Sequence, residues 1–223
     1  MTKRANIKTE PYFTQAARWP ADGRHILANH DTDTILVYQA YRPSIAACAV
    51  LTRTFGGEFD YTRMSWIKPN FLWMMFRSGW GTKPDQEIVL ALKLRRCFFD
   101  SLLSLAVPSS YDSDAFSSQC EWKEAIAASS VRLQWDPDHD PYGKPLKRRA
   151  IQLGLRGNAL QAFGMHEILE VVDMTEFVAA QREQLSGGDL AGLALPFEEI
   201  YRPRDENTAR RLRLDEYSES QQK

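Results

Sequence analysis

Cysteine is scarce and scattered. Cys48, Cys97 and Cys120 are the only three in 223 residues, and no C-x-x-C pair brings two of them together. A disulfide framework is therefore not expected; reduced, mostly buried thiols are. Long apolar runs are missing as well. None approaches the roughly 20 residues that cross a bilayer, and the opening MTKRANIKTEPYF lacks the apolar stretch of a signal peptide. No membrane partner is expected, and a cytoplasmic location is the default. Neither G-x-G-x-x-G nor G-x-x-x-x-G-K-[ST] occurs, which disfavours a standard dinucleotide fold and a P-loop. G-x-S-x-G and H-E-x-x-H are absent too, and with them the common hydrolase signatures. No internal repeat is visible.

What is present is ordinary globular material, 43% hydrophobic and 26% charged, enough for one sizeable core. RHILANHDTDTILVYQAY reads as a hairpin, two apolar runs around a turn-rich centre. Pro43 at a first helical position, with Gly56 and Gly57 beyond, predicts a helix over about 43–55. YTRMSWIKP has strand character and is closed by proline. NFLWMMFRSGWG reads as a short helix with Asn70 at its N-cap and glycine at its end. EIVLALKL is a strand feeding the amphipathic helix RRCFFDSLLSLAV, VRLQWDP and RRAIQLGLRG are two further strands, and HEILEVVDM precedes a helix TEFVAAQREQL. The steady strand–helix alternation of a doubly wound sheet is missing. The expected class is α+β, a single domain with a mixed or antiparallel sheet of about seven strands and four or five helices. That domain should span residues 1–203 and open with an irregular arm over 1–22, while the apolar-poor stretch 204–223 reads as a flexible tail.

The net charge of -1 hides a segregation. Residues 61–100 hold seven basic and three acidic side chains and residues 131–157 six and three, so these stretches carry +4 and +3 and the remainder -8. Such asymmetry points to an anionic partner, a nucleotide or a nucleic acid; solvated faces turned in different directions are the plainer account.

Four segments combine aromatic, basic and small polar residues at strand ends, where a rigid scaffold presents side chains to a site. In VYQAYRPSIA, Tyr41 and Arg42 stand at a helix N-terminus, a cradle for phosphate or carboxylate. Lys68 and Asn70 repeat the device in RMSWIKPNFLWMMFRSGWG, with Arg63, Ser65 and Arg77 nearby and Trp66 and Trp80 able to stack on a ring; Trp73, Met74 and Phe76 read as core. The third segment, VRLQWDPDHDP, brings Asp136 and His139 close enough for acid/base work, although D-P and D-P-Y-G are also turn formers and no metal is expected. RRAIQLGLRG is the fourth. Glu87 opens a strand and could present a carboxylate.

Taken in order, these segments resemble a bacterial and fungal family catalogued as domain of unknown function 4291, over residues 19–184. That resemblance implies no reaction. The order Arg42, Ser65, Glu87 is also similar to the ADP-ribosyltransferase plan, in which a basic residue grips NAD, a serine or tyrosine supports the nicotinamide side and a glutamate polarises the ribose. The reading that follows is a nucleotide-handling enzyme transferring ADP-ribose from NAD to an acceptor, nucleic acid among the candidates, with Asp136, His139 or Glu87 as catalytic groups. Two alternatives stand beside it: a non-catalytic RNA- or DNA-binding module using the same tryptophans and cations, and a metal-dependent hydrolase built on WDPDHD.

Overall fold

The computed structural model describes residues 7–216, and most of its elements begin and end on the turn and cap signals above. β1 (Thr9–Pro11) and α1 (Tyr12–Ala16) lead to the buried Trp19. β2 (Ile26–Ala28) and β3 (Thr34–Tyr41) follow, separated by a turn in which the Asp31 carboxylate accepts from the Asp33 and Thr34 amides. α2 (Pro43–Thr52) starts on its proline and stops at Arg53, whose φ of 59° ends it before the glycine pair. β4 (Ser65–Ile67) is short because Pro69 closes it, and α3 (Phe71–Ser78) is capped by Asn70, whose side chain accepts from the Trp73 amide at 2.7 Å. β5 (Ile88–Arg95) runs straight into α4 (Arg96–Leu105), and β6 (Val107–Pro108) and α5 (Gln119–Ala128) come next. β7 (Val131–His139) and β8 (Pro145–Leu155) form a long hairpin. α6 (Gly157–Ala162), a π-helical turn, β9 (Ile168–Asp173), α7 (Thr175–Ser186), β10 (Ala194–Pro196), β11 (Glu199–Tyr201) and α8 (Glu206–Arg211) complete the described chain.

Seven of these strands make one continuous layer. β3, β5 and β9 form an antiparallel sheet; β4, β8, β7 and β6 form a second, in which only β6 and β7 run parallel. The two meet where the Tyr38 amide donates to the Lys68 carbonyl at 2.6 Å and the Lys68 amide returns the bond at 3.3 Å. The order is thus β6-β7-β8-β4-β3-β5-β9, and the class is α+β in a single domain. Both faces of β3 and β5 are covered, which is why ILVY and IVLALKL are apolar without alternation. Ile35, Val37, Leu90 and Leu92 pack with α2 and α4 and with Leu133, Ile151 and Leu153; Leu36, Tyr38, Val89 and Ala91 pack with α3 and α7. The eight α-helices among the described residues exceed four or five because short terminal pieces such as α1 and α8 are helical too. No helix among the described residues is long and apolar enough to cross a membrane.

Several expectations are corrected. β2 does not pair with β3 as a hairpin: one bridge, His30 to Ile35, is all that joins them, and β2 pairs with the distant β11. The arm over 1–22 carries β1 and α1, with residues 1–6 outside the described residues. The stretch read as a tail carries α8, whose Ala209 is buried beside Leu212, and Arg211 donates to the Leu103, Ser104 and Ala106 carbonyls at the end of α4; residues 217–223 lie outside the described residues. The thiols are not mostly buried, since Cys97 and Cys120 are exposed and Cys48 is half-buried.

Candidate functional site

Strand period places the first set of side chains. Trp66 and Lys68 are two apart and so share a face of the β4 segment, and that face continues across the layer through Gly154 and Gln152 of β8 to Gln134 and Asp136 of β7. Val131, Leu133, Leu153 and Leu155 face the other way, into the core. The polar face is thereby held by an apolar one. Gly154 lies directly opposite Trp66, and the missing side chain lets the indole lie across the strand: a Cβ there would come within 2.7 Å of Met64 Sδ and 2.9 Å of Trp66 Cζ2. Gly154→Ala is expected to displace the indole and lower stability by about 1–3 kcal/mol, measured by urea unfolding alongside the Trp66 indole N–H resonance. An unmoved resonance and midpoint would count against this packing.

A cleft of about 610 Å³ opens over that face, a volume suited to a small-molecule ligand. Tyr41, Arg42, Arg63, Ser65, Trp66, Lys68 and Arg77 all line it, drawn from the end of β3, the loop before β4, β4 itself and α3. At its floor Gln39 donates to Ser65 Oγ at 2.8 Å and to the Trp66 carbonyl at 3.1 Å, and the Tyr41 hydroxyl lies 2.9 Å from the same Ser65 oxygen. The carbonyl can only accept, so it fixes the orientation of the Gln39 amide and leaves its Oε1 buried without a partner among the described residues. Burial pushes the Tyr41 phenol well up. On the rim, Arg42 stands between Glu58 at 3.6 Å and Asp85 at 3.4 Å. Among the described residues no carboxylate lies within ion-pair distance of Arg63 or Arg77.

Lys68 is the unusual member. It is 4% exposed, yet among the described residues no oxygen accepts from its ammonium, which lies 5.9 Å from the centre of the Trp73 ring. Burial, with the Arg77 guanidinium adding to it and Asp136 opposing, brings its pKa down to about 7. Asp136 itself stands behind the cleft, accepting from Gln152 at 2.6 Å.

Four of the side chains expected at the site lie elsewhere. Asn70 is buried, spanning the Trp73 amide and the Glu198 carboxylate at 3.2 Å as a helix cap. Trp80 is 8% exposed and donates to the Pro141 carbonyl; it sits at φ 55° between left-handed Gly79 and Gly81, a reversal that carries it into the core. Glu87 accepts from the Asp85 amide at 3.0 Å and does not line the cleft, although Asp85 and Gln86 do. His139 is stacked on Phe76 at a centroid distance of 3.5 Å, with the Trp73 ring 5.4 Å from it and nearly parallel, and it borders a separate cavity of about 400 Å³. Burial lowers its pKa against the pull of three neighbouring aspartates. Within WDPDHD, Asp138 is bound to Arg148 and Asp140 holds the turn amides of Tyr142 and Lys144. Among the described residues no group of three or more His, Cys, Asp and Glu side chains gathers at metal-binding distance.

Residues the sequence reading passed over complete the cleft. Gln39 is two residues before Tyr41, on the same face of β3, and period two alone could have found it. Gln134 and Gln152 are an adjacent polar pair amid apolar strand residues, a similar signal. Glu58, Asp60 and Asp85 come from loops and carried none.

No curated protein matches the sequence significantly. A family model does, over residues 25–201, a span that contains every cleft-lining residue. By that match the chain belongs to the family described as Domain of unknown function (DUF4291).

Proposed function

We propose that the cleft binds a nucleotide and that the protein is a nucleotide-handling enzyme, most concretely one that transfers ADP-ribose from NAD. One observation carries the reading: Arg42, Arg63, Arg77 and Lys68 line the same cleft as the Trp66 indole, and that cleft has a defined volume. Guanidinium groups recognise phosphate oxygens through paired donors, and an indole offers a face to a base or nicotinamide ring. Cleaving the glycosidic bond of NAD develops positive charge on the ribose, which a nearby carboxylate stabilises. Glu87 is too far round to do so, and the role falls to Glu58 or Asp85 on the rim, or to Asp136 behind Gln152. A nucleic-acid surface would need a longer stripe of cations than this bounded cleft offers.

The test is a thermal-shift comparison of ADP-ribose, NAD and a short single-stranded oligonucleotide, followed by an assay for released nicotinamide. ADP-ribose and NAD are expected to raise Tm, and Arg77→Ala to weaken ADP-ribose by roughly 10- to 100-fold, the value of about 1.5–3 kcal/mol for a hydrogen bond to a charged group. Salt-sensitive oligonucleotide binding without any effect of NAD would instead favour the nucleic-acid module.

A further inference from the structure

The fixed positive charge of the cleft comes from its three arginines, set against the Glu58, Asp60 and Asp85 carboxylates of the same lining. Lys68 differs in every respect that bears on charge. Its stem is enclosed by the protein, its amine opens on the cleft without an accepting oxygen among the described residues, and Arg77 of α3 outweighs Asp136 of β7 in its surroundings. An amine so placed is a poor fixed cation. What it adds to a cleft already supplied with guanidinium groups is a lone pair.

We propose that Lys68 is a covalent nucleophile whose amine attacks the anomeric carbon of a phosphorylated ribosyl group held by Arg42, Arg63 and Arg77. This rests on the nucleotide reading above. With NAD, the new N–C1′ bond forms as the bond from C1′ to the pyridinium nitrogen breaks; nicotinamide leaves with the bonding pair as a neutral base, and the amine releases one proton. With a free pentose phosphate in its aldehyde form, the amine adds to the carbonyl and loss of water leaves an imine. Ring opening of the first product gives an imine of the same kind, with ADP still attached at the 5′ oxygen. The shared ligand is thus a phosphorylated ribosyl carbon, whether a nucleotide or a sugar phosphate supplies it.

The full chain is incubated at pH 7.5 with sodium cyanoborohydride and either ribose 5-phosphate or NAD, and adducts are mapped by peptide mass spectrometry. Hydride from the reagent converts the imine to a stable secondary amine. Lys123, which is exposed, is the internal reference; an ordinary lysine is only about one-thousandth neutral at this pH. Lys68 is expected to be labelled at least about tenfold faster, with one nicotinamide released per adduct in the NAD arm. Lys68→Arg keeps the charge and removes the lone pair, so the label should vanish while ADP-ribose still raises Tm. Should that variant not fold, Lys68→Met, which removes the buried charge, takes its place. Labelling by NAD, alone or with ribose 5-phosphate, supports the proposal with a nucleotide as donor. Labelling by ribose 5-phosphate alone supports the nucleophile and sinks the NAD reading. A label spread evenly over the lysines, or stabilisation by ADP-ribose with Lys68 unmodified, overturns the nucleophile, and the second result leaves the nucleotide reading standing.

Discussion

Replacing Lys68 by methionine is expected to make the protein more stable, and more so in acid than in base. The native amine has a pKa of about 7 because burial and Arg77 penalise its charged form, whereas in the unfolded chain it titrates near 10.4. Below pH 7 both states carry the proton, and the fold bears the whole penalty of an enclosed ammonium. Between pH 7 and about 10 the unfolded chain still binds a proton that the native chain has lost, so stability climbs with pH; above that it levels off. Methionine has similar length and no charge, and it removes both the penalty and the slope. At pH 6 the gain should reach at least about 2 kcal/mol, moving Tm by roughly 4–8 °C for a chain of this size, and it should shrink steadily toward pH 9. Melting curves across that range decide the matter. A Tm that falls at pH 6, or a difference that does not change with pH, would mean that Lys68 is a satisfied structural cation and not a group held at a cost for function. ADP-ribose should raise the Tm of the variant much as it does that of the native chain, because the three arginines of the cleft are untouched, which separates ligand binding from the stability effect of Lys68.

The side chains that could be placed from sequence are those governed by strand period. Trp66 and Lys68 fall together in the cleft because two residues separate them on one strand, and Tyr41 and Arg42 because β3 ends there. Gln39 obeys the same rule and was missed only because a glutamine draws less notice than a cation. Asn70 and glycine at the ends of α3 were legible because capping is local. What could not be read depends on partners distant in the chain or on backbone direction. Asn70 is tied to Glu198, 128 residues away, and so spends its side chain on the helix rather than on a ligand. Trp80 turns inward because three successive left-handed residues, two of them glycines, reverse the chain. β2 looked like the partner of β3, yet the pairing stops at the His30–Ile35 bridge beside the Asp31 turn, and β2 itself pairs with the distant β11. The apolar-poor C-terminal stretch reads as disorder by composition, but Arg211 finds the unsatisfied carbonyls at the end of α4, which no local pattern announces.

The WDPDHD segment carries the second large effect, and it is structural. An irregularity in the β7–β8 register between Pro137 and His139 breaks the alternation of side chains and leaves Asp138 buried, 1% exposed. There Arg148, 5% exposed, reaches its Oδ2 with Nε at 2.8 Å and with Nη2 at 2.6 Å, while the other oxygen accepts from the His139 amide. The remaining Nη1 donates to the Pro20 carbonyl at 2.6 Å, and the guanidinium stacks 5.4 Å from the Trp19 ring, so one side chain fastens the N-terminal segment to the hairpin. Arg148→Met is expected to lower stability by about 3–5 kcal/mol, because it strands a buried carboxylate without its counter-charge. For a chain of this length that is a fall in Tm of roughly 6–20 °C. Asp138→Leu combined with Arg148→Met should recover most of the loss, since a buried pair replaced as a unit by apolar groups is often neutral. Urea unfolding of the single and double variants measures both. If the double variant is as unstable as the sum of its parts, the pair contributes through its separate bonds to Pro20 and His139 and not through the mutual attraction of two buried charges. If Arg148→Met costs under about 1 kcal/mol, water reaches Asp138 and the carboxylate was never enclosed.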